Sequence, residues 1–239
     1  MNDFTFAHRE EGFDNHIDKS IRGYKDLLDD VVSFSKYFVE DKSTVLDIGC
    51  STGKLTKRIL LENYKHKNRV SYEGVEYAKG FQEDLYKRQE ELWSLIDKEE
   101  DSLRSFTVFH DKDVREMSLK YRTYSFVTSI FTLQFMPKHD RERLIKNIYD
   151  SLIPGGAFVF AEKVYSQNAH IQDMITFMYY DYKRKYFEDS DILDKEKTLR
   201  HMLKPNTWPE INDFLTTAGF KNIQVFWRNH NFLGAIAVK

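Results

Sequence analysis

The chain has 239 residues, a formal net charge of −2 and 41% hydrophobic residues, which suits one α/β domain with an embellishment and a packed core. A single cysteine excludes an internal disulfide and a thiolate metal cluster. No apolar run reaches the roughly 18 residues of a membrane span, no apolar signal core marks the N-terminus, and the near-neutral charge gives no global reason to expect nucleic-acid binding.

The expected location is therefore the cytosol, with no metal. Residues 1–42 are expected to be helical after an irregular start, because "YKDLLDDVVSFSKYFV" places apolar residues at helical spacing. "STVLDIG" reads as a buried strand and "GKLTKRILLENYK" as an amphipathic helix. "RVSYEGVEY" is a second strand, and "AKGFQEDLYKRQEELWSLIDKEE" a long charged helix with a solvated face. "SFTVFHDKDV" is a third strand and "YSFVTSIFTLQFM" a fourth, very apolar one. "KHDRERLIKNIYDSL" is helical and leads into a turn and fifth strand, "IPGGAFVFAEKVY".

Residues 166–204 break the alternation. They are helical, aromatic and basic, and read as an inserted cap. "WPEINDFLTTAG" is a further helix, and "KNIQVFWRNHNFLGAIAVK" gives two strands around "NHN", close enough to pair as a hairpin. Strands alternating with helices predict a doubly wound, mostly parallel sheet of seven strands, covered on both faces, in one domain over 1–239. Buried parallel strands are continuous apolar runs, as "FVTSIF" and "AFVF" are.

"VLDIGCSTG" carries the chemistry. In an open α/β sheet, ligands bind beyond the carboxyl ends of the strands. The first strand ends at Asp47, and Gly49 and Gly53 permit a tight turn and close ligand approach. The G-x-G-x-x-G of dinucleotide folds is absent. A carboxylate at Asp47 repels a pyrophosphate and attracts an ammonium or sulfonium. Glu76 ends the second strand, where an acid accepts from both ribose hydroxyls. Asp113 follows the third and can accept from an adenine amino group. Three acids at successive strand ends suit a nucleoside with a cationic tail. A dinucleotide enzyme with a degenerate loop explains neither Asp47 nor the cap.

This order resembles the class I S-adenosylmethionine-dependent methyltransferases over roughly residues 40–239, with a Rossmann-like fold implied. "FDNHIDKSIRGY", "LDIGCSTG", "FTLQFMP", "IYDSLIPGGAFVFAEK", "YDYKRKY" and "WRNHNFLGAIAVK" further resemble the carboxy-S-adenosylmethionine synthase family over nearly the whole chain. That family makes carboxy-S-adenosylmethionine from S-adenosylmethionine and prephenate, for tRNA wobble-uridine modification. The resemblance implies Tyr24 over the ligand, Gly49, Cys50 and Ser51 along the methionine part, Glu76 and Tyr77 at ribose and adenine, and Asp113 and Val114 beside the adenine. Two positions depart. Ile130 stands where the family has an asparagine, and Glu196 where it has the arginine that holds the transferred carboxylate. An acid cannot replace that guanidinium fork, although Lys195 and Lys197 flank it.

Methyl transfer to a small or nucleoside-like acceptor is thus the leading expectation. Carboxy-S-adenosylmethionine synthesis and non-catalytic cofactor binding are the alternatives. Alignment of the reactants is the main task, and a base is needed only for a protonated acceptor. His110 and Glu162 are the candidates for it. Tyr180, Arg184, Lys195, Lys197 and Arg200 are the candidate substrate contacts in the cap. Cys50 has no nearby histidine to activate it. The aromatics of the cap and N-terminal helix could cover a second copy in a homodimer.

Overall fold

The computed structural model describes residues 12–96 and 105–239. Two short helices open it, α1 (Phe13–Ser20) and α2 (Tyr24–Phe38). Gly12 and Gly23 take φ of 76° and 75° at their N-termini, in the left-handed half of the map that glycine enters without strain. The alternation then runs β1 (Thr44–Ile48), α3 (Lys54–Asn63), β2 (Ser71–Glu76), α4 (Gln82–Ile96) and β3 (Phe106–Asp111). It continues with β4 (Tyr124–Ile130), α5 (Lys138–Ser151) and β5 (Leu152–Tyr165). The expected extension of the α4 helix to Glu100, and the start of the chain, lie outside the described residues.

The sheet order is β3-β2-β1-β4-β5-β8-β7, where β7 is Asn222–Asn229 and β8 is Phe232–Val238. The first five strands pair in parallel. β8 runs antiparallel to both β5 and β7, as the short "NHN" connection requires. A two-residue strand, β6 (Asn206–Thr207), joins the end of β5 and adds to the seven expected strands. Strand order reverses between β1 and β4, so the cleft of the doubly wound sheet opens there.

Side-chain alternation along β1 explains the two covering layers. Val45 faces α2, α3 and α4, where Leu27, Leu28, Val31, Ile59, Leu60 and Leu92 form one core. Leu46 and Ile48 face the other side, against Leu144, Ile145 and Ile148 of α5. Phe214 and Leu215 of α8 (Trp208–Ala218) complete that second core. Thr207 and Glu210 form a reciprocal capping box that starts α8, with the Thr207 N–H donating to Glu210 Oε2 at 2.8 Å.

The cap is two helices, α6 (Ala169–Lys183) and α7 (Asp189–Met202). Asn168 caps α6 by accepting from the Ile171 N–H at 3.0 Å. The apolar run after β4 is shorter than its hydrophobicity predicted. The strand stops at Ile130, Phe131 adopts a left-handed φ of 59°, and Leu133–Phe135 is a 3-10 turn. The break turns Thr132 towards the glycine loop rather than along the sheet.

Candidate cofactor and acceptor site

The loop after β1 is pinned to the end of β2. The Gly49 and Cys50 N–H groups donate to the Val75 carbonyl at 2.7 and 3.1 Å. Gly49 is required twice over. Its φ is 72°, and a Cβ there would stand 2.0 Å from Thr132 Oγ1. Gly53, with φ of 70°, begins α3, and its absent Cβ leaves room for the Phe109 ring, 2.8 Å away. Ser51 also has a positive φ, of 47°.

The three strand-end acids have different partners. Asp47 is buried, and its two oxygens accept from Thr56 Oγ1 at 2.7 Å and from Thr128 Oγ1 at 2.8 Å. Burial pushes its carboxyl up to about 6, against the two threonine hydroxyls that hold it down. Glu76 accepts the Ser51 N–H at 2.9 Å on one oxygen and the Ala78 N–H at 2.7 Å on the other. Each of its oxygens keeps a second lone pair for another donor. Burial raises its carboxyl above the usual range, and the backbone donors oppose that shift. Asp113 is held below the usual range by the side chain of Arg115, whose Nε donates to Oδ2 at 2.9 Å.

These groups open onto one cavity of about 700 Å³ at the switch point. Of the residues expected to hold cofactor, Tyr24, Asp47, Gly49, Cys50, Ser51, Glu76, Tyr77, Asp113 and Val114 line it. Gly53 stands behind the loop and shapes it. The Cys50 thiol is pushed well up by burial, then by Asp47 and Glu76, which disfavours its thiolate. Lys195 and Glu196 of α7 also reach this cavity.

Six other expected residues lie outside this cavity, and two of them, Tyr180 and Arg200, line a smaller cavity beside it. His110 sits on the edge strand β3, outside the cavity, with Nε2 3.6 Å from Glu73 on the neighbouring strand β2. Glu162 is fully buried on β5 against Arg141, 3.3 Å away, on the far side of the sheet, so it meets no acceptor. Burial raises its carboxyl to about 7 and Arg141 opposes the rise. Arg141 also donates to the Lys204 carbonyl at 2.8 Å and to Asn206, which ties the end of the cap to α5. Arg184 is held by Asp181 and Asp189 at 2.7 Å each, and Lys197 by Asp194 at 3.2 Å. Both face away from the cavity lining.

The structure adds residues that sequence reading passed over. Phe13, Asp14 and His16 of α1 roof the cavity. Asp14 accepts from Thr52 Oγ1 at 3.3 Å, and Phe13 meets Phe81 edge-to-face at 5.2 Å. His16 Nε2 meets the Lys195 ammonium, which joins this roof to the cap. The i, i+3, i+4 spacing of Phe13, His16 and Ile17 was the available signal. Lys163 of β5 forms an ion pair with Glu196 at 3.3 Å on the cavity wall. Nothing local in the sequence marks that pair.

A parallel sheet with a glycine-rich first turn, and acids at the tips of its first two strands and just beyond the third, defines an S-adenosylmethionine-binding α/β fold. The chain belongs to the methyltransferase domain family, which matches residues 19–225, and within it to the group of the carboxy-S-adenosyl-L-methionine synthases. It is 33% identical to that synthase of Staphylococcus epidermidis, over 95% of this chain and 92% of the relative. Identity to the synthase of Shewanella frigidimarina is 30%, over 100% of this chain and 94% of the relative. Solved structures share the fold. Haemonchus contortus phosphoethanolamine N-methyltransferase 2, in complex with S-adenosylhomocysteine, superposes with a TM-score of 0.63 at 16% identity. That match covers 98% of this chain and 60% of the other. Magnesium protoporphyrin IX methyltransferase from Synechocystis, with S-adenosylhomocysteine bound, gives 0.57 at 16% identity over 93% and 86% of the two chains.

The protein is accordingly an S-adenosylmethionine-dependent transferase. The residues fit that cofactor: the cradle at Gly49 admits no side chain, and Asp47 and Glu76 put two carboxyl groups beside that turn, where a sulfonium and an ammonium would be attracted. No helix among the described residues is long and apolar enough to cross a membrane. No group of side chains among them could hold a metal ion.

Proposed function

We propose that the protein transfers a methyl group from S-adenosylmethionine to a small polar acceptor. The Lys163–Glu196 pair on the cavity wall carries this reading. Glu196 occupies the position where the resemblance puts an arginine for the transferred carboxylate. Two like charges about 4 Å apart repel by about 4 kcal/mol at an effective dielectric of 20. Lys163 is engaged by Glu196 and Lys195 meets His16, and neither ammonium offers the paired N–H donors of a guanidinium.

When bound, the cofactor supplies a carbon already activated on a sulfonium. The chain's own residues supply placement and exclusion of water. Asp47 and Glu76 set the field around the cationic end and the ribose. Tyr24 and Phe131, with ring centroids 6.2 Å apart, form an apolar wall. The roof of Phe13 and His16 and the cap residues Tyr179 and Lys195 shield the reacting end. An acceptor with a free lone pair needs no base.

A carboxy-S-adenosylmethionine synthase is the second reading. The names of the curated relatives favour it, as do two lysines on one wall. Mass spectrometry of the nucleoside released from denatured protein separates the two. S-adenosylmethionine or S-adenosylhomocysteine supports methyl transfer. Carboxy-S-adenosylmethionine, or phenylpyruvate formed from added prephenate, overturns it. Cofactor binding with no turnover on any acceptor leaves a binding module. The reading carries a cytosolic location, one domain over 1–239, and no direct nucleic-acid contact. A homodimer would cover the exposed Ile171, Met174 and Phe177 stripe of α6.

A further inference from the structure

A second cavity of about 440 Å³ adjoins the first, between the end of β5, the inner side of α6 and α7. Lys163, Tyr179, Glu196, Leu199 and Leu203 line both, so the Lys163–Glu196 pair stands at their common wall. The volume lies within the range of small-molecule pockets. Much of its polar lining is already satisfied internally. Gln172 accepts from the Ser166 N–H at 2.7 Å and donates to Asn231 at 3.1 Å.

Arg200 is the exception. It follows Glu196 by one helical turn, a spacing that favours an ion pair. Glu196 turns instead to Lys163. Among the described residues, the Arg200 guanidinium therefore meets no carboxylate, and its hydrogen bond goes to Tyr165 Oη at 3.1 Å. Burial and then Glu196 push the Tyr180 phenol above its usual range, and the nearby Arg200 charge opposes that rise. Asp173, the other acid of the lining, is seven residues from Tyr180 on α6, about 10 Å along the helix. One end of the chamber thus presents an unneutralised guanidinium between two tyrosines, and the other end meets the cofactor cavity.

We infer that this second cavity is the acceptor chamber and that it takes a small acid, a carboxylate or phosphate held by Arg200 with Tyr165 and Tyr180. Guanidinium binds either anion through paired N–H donors. The inference rests on the cofactor reading of the first cavity. Glu196 at the shared wall keeps the acid's charge at the Arg200 end and away from the cofactor.

Titration calorimetry on protein saturated with S-adenosylhomocysteine tests this with benzoate, phenyl phosphate and neutral benzamide as probes. At least one acid is expected to bind, with benzamide at least tenfold weaker. The tighter acid names the anion. Arg200→Gln should weaken the acids tenfold or more, Arg200→Lys less, and both should keep S-adenosylhomocysteine affinity within about twofold. Equal acid binding in Arg200→Gln, equal binding of benzamide, or no acid binding to loaded protein would overturn the inference while leaving the cofactor reading intact. Failure to bind S-adenosylhomocysteine would overturn both.

Discussion

Replacing Asp47 with asparagine should stabilise the protein while weakening its hold on cofactor. In the folded chain the carboxyl titrates at about 6, against 3.8 for the unperturbed group. That difference is worth about 3 kcal/mol. The sign follows from the direction. A raised acid favours the folded state below about pH 4, and that contribution is lost as pH rises through about 6. At pH 8 the wild-type fold carries the cost of a buried carboxylate. Asparagine removes the charge and keeps the shape, but one threonine hydroxyl loses an ionised acceptor, at about 1 kcal/mol. The variant should be more stable by about 1–2 kcal/mol at pH 8, with the advantage shrinking towards pH 5. Urea unfolding of both proteins across that range reads the difference directly. S-adenosylmethionine affinity should fall about tenfold or more as the attraction for its cation is lost. A variant less stable than wild type by the same amount at both pH values would refute the reasoning.

Gly49→Ala should cost at least about 2 kcal/mol and abolish measurable S-adenosylhomocysteine binding, since its Cβ would stand 2.0 Å from Thr132 Oγ1. Thermal melts with and without ligand check it. Arg141→Met leaves Glu162 buried and unpaired, and should destabilise by about 3–5 kcal/mol at pH 8. The double variant with Glu162→Leu should recover most of that in chemical denaturation. Glu196→Arg should slow methyl transfer at least tenfold and let added prephenate yield carboxy-S-adenosylmethionine, read by mass spectrometry. Absence of that product would sink the claim that the charge at residue 196 decides the route.

The order of elements was legible because it is written in local patterns. The apolar runs of "TVLDI" and "FVTSI" cannot sit anywhere but inside a sheet, and "DIGCSTG" requires a turn that only small residues permit. The placing of Asp47, Gly49 and Glu76 on one cavity was legible too, since all three stand at strand tips wherever the sheet forms. Even there, the Thr56 and Thr128 hydroxyls that hold Asp47 were not visible, because Thr128 lies 81 residues away on the neighbouring strand.

His110 and Glu162 show the limit of such reading. Both lie near the carboxyl ends of their strands, yet each faces a partner, Glu73 or Arg141, rather than the cavity. The Lys163–Glu196 pair joins a strand end to a cap helix 33 residues later, and His16 meets Lys195 across 179 residues. The sequence by itself determined which segments are strands and helices and which turn lines the cavity, because periodicity and backbone freedom act between near neighbours. Only the tertiary structure decided which charges face a ligand and which neutralise one another, because electrostatic partnership depends on distance in space, and packing alone sets that distance.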